Sequence, residues 1–270
     1  MIGAIIGDIV GSAYELDNIK TKDFELFEGN CRFTDDTVLT LAVAKAIRDC
    51  EGHYSNLKEK TVEYMREFAK KYKNAGFSKD FMKWVKSDNP EPYNSCGNGA
   101  AMRISSVGLI STTVEQVKDL SYKVTSVTHN HIEGIKGAES VATAIFLAAN
   151  GLLKERIEEY INQNYYKIDF TVEDLMQSYG TYYDCQNTVP QAMQCFFEST
   201  SFEDAIKNAV SIGGDSDTIA CITGSIAEAY YGVTRDLRMK GLSYLDDNLK
   251  TIFKDVENYI TAINRQGELD

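Results

Sequence analysis

The sequence predicts an all-α protein, and three observations support that fold class. The 270 residues include only three prolines, Pro90, Pro92 and Pro190, so long stretches are free to be helical. Several segments place apolar side chains at the i, i+3, i+4 and i+7 spacing of a helix. No segment alternates apolar and polar residues convincingly enough to indicate a strand. One domain spanning residues 1–270 is the simplest organisation, because neither a repeat nor a linker interrupts the chain.

The first predicted helix runs from Ile2 to Val10, where the apolar side chains recur at helical spacing. Gly3, Gly7 and Gly11 recur every four residues along the same segment. Small residues at this spacing allow another element to approach closely, at a cost in helix propensity.

The later helices are predicted from the same spacing and from capping residues. Thr34 is a natural N-cap for a helix that begins at Asp35. Residues 218–231 give the clearest pattern, because isoleucines recur along one face. Further helices are predicted at 61–72, 78–85, 114–127, 134–153, 190–197, 202–210 and 245–263, with a loop at 89–99, a helical or mixed segment from 100 and no assignment for 155–171.

Charge, hydropathy and cysteine content indicate which partners and which cell compartment to expect. The net charge of −12 repels the phosphate backbone of nucleic acids and disfavours them as partners. It also repels anionic membranes, and no apolar run is long enough to predict a membrane span. The six cysteines form no CxxC pair and follow no secretory signal, so we expect reduced thiols in a cytoplasmic protein.

Three acidic clusters stand out, at residues 7–15, 34–37 and 213–218. In the first cluster, Asp8 and Glu15 would share one face if the helix continued that far. Taken singly, each cluster most simply supplies helix caps, and Asp8 could brace a buried helix end.

The clusters at 34–37 and 213–218 suggest more when they are taken together. Each offers two carboxylates beside threonine hydroxyls, which are hard oxygen ligands suited to Mg²⁺ or Mn²⁺. If the two helix starts met, four carboxylates would converge, and like charges packed together are costly unless they are neutralised. Two divalent cations about 3.5–4 Å apart would neutralise them, with one aspartate bridging the pair.

Two further segments contain polar groups that could bind a ligand. The glycine-rich turn at 97–99 precedes a helix and could present backbone N–H groups to phosphate, although a plain loop is the simpler interpretation. Arg103 could be either a salt-bridge partner or a ligand anchor. His129 and His131 could bind a metal, contact a sugar or end a helix. No neighbouring carboxylate or cysteine completes a zinc pattern, so we exclude zinc.

Together these segments resemble the ADP-ribosylglycohydrolase family, which includes the dinitrogenase-reductase-activating glycohydrolases. The resemblance implies an all-α orthogonal bundle with a binuclear metal centre in a cleft, while residues 152–183 match no motif. The motifs that carry it are GDIVGSAYE at 7–15, FTDDT at 33–37, GNGAAMR at 97–103, THNH at 128–131, NTVPQA at 187–192 and GGDSDTIACITGSIAEAYYG at 213–232.

The resemblance also implies roles for individual residues. One ion would be held by residues of the cluster at 34–37 and the other by residues of the cluster at 213–218. Asp217 would be shared between the two ions. After Arg103 the chain departs from many relatives, because Ile104–Val107 contains no proline. The implied ligands of two Mg²⁺ or Mn²⁺ ions are Thr34, Asp35, Asp36, Asp215, Asp217 and Thr218, and the implied substrate-binding residues are Gly97, Asn98, Gly99 and His129.

The implied activity is metal-dependent hydrolysis of an N- or O-glycosidic bond between ADP-ribose and a protein side chain or small acceptor. Such cleavage has an oxocarbenium-like transition state, and a carboxylate, Glu15 or Asp36, would activate the water. Two alternatives stay open. A non-catalytic ADP-ribose binder, like the lens crystallins related to this family, would keep the scaffold without turnover, and a two-metal phosphoesterase would cut the diphosphate instead.

Overall fold

The computed structural model of the chain describes residues 1–267 and confirms the all-α prediction. Within that range there is no β-strand, only one isolated bridge between Gly97 and Asp184. The α-helices are α1 Ile2–Gly11, α2 Asp35–Arg48, α3 Leu57–Lys71, α4 Lys79–Lys86, α5 Gly99–Met102, α6 Ser105–Ile110, α7 Val114–Thr125, α8 Ile132–Ala149, α9 Lys154–Asn164, α10 Val172–Ser178, α11 Cys185–Phe197, α12 Phe202–Ser211, α13 Ser216–Tyr231, α14 Arg235–Ser243 and α15 Asp247–Gly267, with a 3₁₀ turn at Tyr54–Asn56.

Helices α1 and α13 form the centre of the molecule and pack with almost no side chain between them. All ten residues of α1 are buried. A Cβ atom at Gly7 would lie 2.7 Å from the backbone nitrogen of Cys221 and closer still to the carbonyl of Ala220. Gly3 and Gly11 are equally close to the backbone of α13. The predicted close approach along the glycine stripe is therefore confirmed, and α13 is the partner.

Helix α1 ends before the chain reaches Glu15. It ends at Gly11, and Ser12 follows as its C-cap. The condition under which Asp8 and Glu15 would share one helix face is therefore not met, because the chain leaves the helix between them. Glu15 instead lies in the turn that follows.

Three helices were missed by sequence reasoning, and α3 and α11 begin four and five residues earlier than expected. Helix α9 occupies most of the region left unassigned, α10 follows it within the stretch that matches no motif, and α14 follows α13. Helix α11 was expected to start at Pro190 but begins at Cys185, because the side chain of Asp184 caps it by accepting from the N–H of Asn187 at 3.0 Å. Proline lies inside this helix, a position that proline propensity alone disfavours.

The buried hydrophobic residues belong to one continuous cluster, which draws on nearly every helix. The assignment of residues 1–270 to a single domain stays a prediction, and its last three residues lie outside the described range. Among the described helices, none combines the length and apolarity that crossing a membrane requires.

Replacing Gly7 with alanine is expected to lower the free energy of unfolding by about 3 kcal/mol, because the new methyl group overlaps backbone atoms that cannot move aside independently. Urea unfolding followed by circular dichroism measures the change. Gly180→Ala is the control, since a Cβ there has no neighbour closer than 3.6 Å, and it should stay within about 0.5 kcal/mol of wild type. Equal stability of both variants would contradict the close packing.

Candidate active site

Two helix N-termini supply most of the acidic side chains of the candidate site. Helix α2 begins at Asp35 because Thr34 caps it, as the sequence predicts. Helix α13 begins at Ser216, and its N-cap Asp215 directly follows glycines 213 and 214, whose φ angles are 70° and 80°. Only glycine adopts this left-handed conformation without strain, so the pair turns the chain sharply into the helix and places Asp215 at its start.

Asp8 lies fully buried beneath the start of α2 and holds it in place. Its carboxylate accepts hydrogen bonds from the N–H of Thr34 at 2.9 Å, the hydroxyl of Thr34 at 2.6 Å and the N–H of Thr37 at 3.1 Å. The negative charge also complements the positive end of the helix dipole. Asp8 is therefore a brace. The Thr34 hydroxyl donates to it, and metal ligation by the oxygen of Thr34 stays a prediction.

The two helix starts meet, as the metal hypothesis requires. The hydroxyl of Thr218, in the first turn of α13, donates to Oδ2 of Asp36 in α2 at 3.2 Å. On the α13 side, Glu15, Asp215 and Asp217 each offer a carboxylate oxygen within 4.8 Å of the other two. Residues that are about 180 positions apart in the chain thus form one acidic cluster, which we define as Glu15, Asp35, Asp36, Asp215 and Asp217.

The acidic cluster lies in the wall of a cavity of about 940 Å³. That volume is at the upper end of the range for small-molecule sites and suits a dinucleotide-sized ligand. Thr34 is the one predicted site residue that does not line it. The predicted residues that do are Glu15, Asp35, Asp36, Gly97, Asn98, Gly99, His129, Asp215, Asp217 and Thr218.

The acidic cluster carries its charge at a high electrostatic cost. Burial and repulsion from neighbouring carboxylates raise the pKa of Asp36 and of Asp217 well above the usual range. The same causes raise the pKa of Asp35 to about 7, and burial raises that of Asp215 to about 6. Among the side chains that the structure describes, no lysine or arginine forms an ion pair with these four aspartates.

The residues of the acidic cluster fit divalent cations. Oδ1 of Asp36 is buried and has no hydrogen-bond partner among the described residues, which is a costly state for a carboxylate oxygen unless a cation satisfies it. The donor set is entirely carboxylate and hydroxyl oxygen, the kind that Mg²⁺ and Mn²⁺ prefer. A cation would also offset the mutual repulsion that raises the aspartate pKa values.

The glycine-rich loop at 97–99 forms another wall of the cavity and is tied to the acidic cluster by Asn98. The amide of Asn98 donates to Oδ2 of Asp215 at 2.6 Å and to the hydroxyl of Thr188 at 3.2 Å. The backbone N–H groups of Gly97 and Asn98 already donate within the protein, to the Ser95 hydroxyl at 3.1 Å and the Tyr183 carbonyl at 2.8 Å. Asn98 therefore orients a candidate metal ligand, a role that sequence reasoning did not assign.

Sequence reasoning also missed the residues that line the cavity between α10 and α11. Thr181, Tyr182, Tyr183 and Asp184 contribute to its wall, and the rings of Tyr182 and Tyr183 are 43% and 63% exposed at its rim. They belong to the stretch that matched no motif. The available signal was the run of tyrosines directly before the NTVPQA motif.

A surface residue secures the turn that leads into α13. The side chain of Asn18 accepts from the N–H of Gly214 at 2.8 Å and donates to its carbonyl at 3.0 Å. Asn18 also donates to the carbonyl of Glu15 at 3.2 Å, so one amide links the turn after α1 to the glycine pair. Nothing in the local sequence indicated this contact, because it joins segments that are remote in the chain.

Comparison with known proteins decides which family this site belongs to. A sequence model described as ADP-ribosylglycohydrolase matches residues 1–266. The chain belongs to the ADP-ribosylglycohydrolase family. It is therefore a glycohydrolase enzyme, and the resemblance found in its motifs is confirmed.

Individual relatives cover most of this glycohydrolase. ADP-ribosylhydrolase ARH3 of Homo sapiens is 26% identical over 86% of this chain and 84% of its own length. ADP-ribosylarginine hydrolase Tri1 of Pseudomonas putida (strain GB-1) is 25% identical over 87% of this chain and 70% of its own length. A solved structure described as an ADP-ribosylglycohydrolase-related protein complex has a TM-score of 0.67 at 19% identity, covers 96% of this chain and 97% of its own, and shares the fold.

Without divalent cations, the thermal stability of this glycohydrolase is expected to fall as pH rises from about 4 to about 7. The cluster aspartates have higher pKa values in the folded protein than in the unfolded chain, so the native state binds more protons and is favoured at low pH. Mg²⁺ or Mn²⁺ should raise the melting temperature, with the largest gain at and above pH ~7, because the cations bind the ionised form.

Scanning calorimetry between about pH 4 and about pH 8, in EDTA and in added cation, measures both effects. Asp217→Asn is the comparison, since it removes one of the repelling charges and should flatten the decline seen in EDTA. Identical pH profiles for wild type and Asp217→Asn would contradict the account of the cluster.

Proposed function

We propose that this enzyme hydrolyses the glycosidic bond between ADP-ribose and a protein side chain or small acceptor, using two divalent cations held between α2 and α13. The convergence of two acidic helix starts in the wall of a dinucleotide-sized cavity is the observation that supports this most. The names of the relatives, ADP-ribosylhydrolase and ADP-ribosylarginine hydrolase, support an ADP-ribosyl substrate.

The cations would be held from two sides. Asp35 and Asp36, with Thr34, would supply one side, and the other ligands would come from the start of α13. When bound, the cations would orient the vicinal hydroxyls of the distal ribose and offset the charge of the diphosphate, which an acidic protein cannot do. The ligands contributed by α13 would be Asp215, Asp217 and Thr218, with Asp217 shared between the ions.

Glu15 is better placed than Asp36 to activate the water. The side chain of Glu15 is 32% exposed, so it borders both the acidic cluster and the solvent. Asp36 is 2% exposed, and one of its oxygens already accepts from Thr218. A general base needs access to the water whose proton it takes, and of these two carboxylates Glu15 has that access.

The proposed chemistry breaks one bond at C1 of the ribose and forms another. As the bond to the acceptor lengthens, positive charge develops at C1, and the surrounding carboxylates stabilise it. Water adds to C1 while Glu15 takes its proton. The acceptor leaves with the electrons of the broken bond and receives the proton that Glu15 took from the water, which returns Glu15 to its ionised form. The products are ADP-ribose and the free acceptor.

The rest of the cavity would bind the ADP-ribose itself. We propose that the loop of Gly97, Asn98 and Gly99, together with His129, contacts the ligand. Because the N–H groups of Gly97 and Asn98 are already used within the protein, this loop would act mainly through its shape and through the hold of Asn98 on Asp215. Because neither glycine has a side chain, the loop leaves room for the ligand to approach its backbone closely.

The acceptor would be selected at the mouth of the cavity. Residues 93–95 and the exposed side chains of Tyr182 and Tyr183 line it, and none of them belongs to a shared motif. We therefore propose an ADP-ribosylated protein or a small ADP-ribose conjugate as the partner.

Glu15→Gln is expected to lower kcat by about 100-fold or more, because the amide cannot take a proton from water. Binding of ADP-ribose in Mg²⁺ or Mn²⁺ should stay within about threefold of wild type, since the amide keeps the size of the side chain. Hydrolysis of an ADP-ribosylated arginine peptide, followed by mass spectrometry, and calorimetric titration with ADP-ribose measure the two effects. Asp36→Asn should instead lose both activity and cation binding.

Glu28→Gln is the matched control, because Glu28 is an exposed glutamate in the neighbouring loop and should keep full activity. The same mass spectra identify the products. Intact ADP-ribose supports the proposed bond cleavage, whereas AMP with ribose phosphate would indicate a phosphoesterase and would contradict it. Full activity in Glu15→Gln would remove Glu15 from the mechanism.

A further inference from the structure

Arg103 is a fully buried cation that has no carboxylate partner among the described residues. Burial lowers its pKa only to about 10, so the guanidinium stays charged at neutral pH. Its Nη2 donates to the hydroxyl of Thr128 at 2.7 Å, while Nε and Nη1 have no partner. A buried charge without a counter-ion is costly, and a structural salt bridge, one of the two roles considered for Arg103, does not account for it.

The hydrogen bonds that start at Arg103 determine the protonation of His129. A guanidinium only donates, so the Thr128 oxygen accepts from Arg103 and must turn its own proton elsewhere. Nδ1 of His129 lies 2.7 Å from that oxygen and 3.4 Å from Nη2 of Arg103. Nη2 of Arg103 can only donate, so a proton on Nδ1 would face another donor, and the arrangement favours Nδ1 as the acceptor. In a neutral imidazole the remaining proton then lies on Nε2.

His129 is also held in its neutral form. Burial, followed by repulsion from Arg103, lowers the pKa of the imidazole well below its usual range. The ring of Tyr93 packs beside it, with the ring centroids 5.9 Å apart.

The Nε2 atom of His129 is directed toward the glycine-rich loop. A Cβ atom at Gly97 would lie 3.4 Å from Nε2, and one at Gly99 would lie 3.6 Å from it. His129 lines the cavity at this point. The absence of side chains at these two glycines therefore leaves space in front of the Nε2–H group.

We propose that Arg103 is a positioning residue that acts through Thr128 to fix His129 as a neutral Nε2–H donor facing the cavity. This end of the cavity then requires a hydrogen-bond acceptor on the ligand, and His129 takes no part in proton transfer. The identity of that acceptor as an oxygen of ADP-ribose rests on the proposed function. The tautomer itself does not, so the two ideas can fail separately.

Nitrogen-15 NMR of the imidazole groups in the ligand-free protein tests the tautomer directly. The chain has three histidines, and the signals that disappear in His129→Gln identify His129. We expect a protonated Nε2 and an unprotonated Nδ1 at neutral pH. A protonated Nδ1, or an imidazolium, would overturn the proposal whether or not ADP-ribose is the ligand.

Titration with ADP-ribose in Mn²⁺ tests the consequence. Thr128→Val should weaken binding by about tenfold, because it removes the group that orients the ring. Thr125→Val is the matched control, since Thr125 is equally buried but its hydroxyl has no partner, and it should bind as wild type does. Equal affinities in the two variants would count against the positioning role.

Two pairs of substitutions complete the test. His129→Gln can place an amide donor near the Nε2 position and should bind ADP-ribose better than His129→Asn, whose amide mimics Nδ1. Arg103→Lys keeps a donor for Thr128 and should recover affinity lost in Arg103→Met. Tighter binding by His129→Asn, or no recovery by Arg103→Lys in a protein with normal circular dichroism, would contradict the proposal.

Discussion

The close contact between α1 and α13 is the constraint on which the site depends. Because Gly3, Gly7 and Gly11 leave no side chain between the two backbones, the end of α1 reaches the start of α13. Asp8, on the same short helix, reaches in the other direction and fixes the start of α2 through Thr34. One fully buried helix thus sets the distance between the two acidic helix starts. Any change that widened this contact would separate the carboxylates before it disturbed the outer helices.

The same contact creates an electrostatic problem that the protein alone does not solve. Five carboxylates share one wall of the cavity, and burial raises the pKa of the aspartates among them. Helix N-termini favour the negative charge, but not enough to offset repulsion at such short range. Oδ1 of Asp36, which has no hydrogen-bond partner among the described residues, marks a position where a compensating positive charge is missing. Divalent cations would supply it, so stability, cation affinity and catalysis depend on the same side chains.

The sequence predicted much of this site because its chemistry is local. TDDT and DSDT each contain both the helix cap and the candidate ligands, and small residues repeated every four positions predicted a close helix contact. It could not predict contacts between remote segments. Asn98 binding Asp215, Asn18 holding Gly214 and Arg103 donating to Thr128 all depend on tertiary packing. Glu15 would share a face with Asp8 only on a longer helix, and the residues from Ser12 to Tyr14 do not show that the chain turns away there. The early start of α11 depended on a cap at Asp184 that outweighed the proline inside the helix.

Electron paramagnetic resonance of the Mn²⁺-loaded protein tests the central claim most directly. If the starts of α2 and α13 hold two cations that share Asp217, the ions lie about 3.5–4 Å apart and their spins couple. The spectrum should then show a coupled pair, which Asp217→Asn converts to an uncoupled signal or abolishes. A simple six-line spectrum from isolated Mn²⁺ in the wild-type protein, or no bound Mn²⁺ at all, would contradict the account.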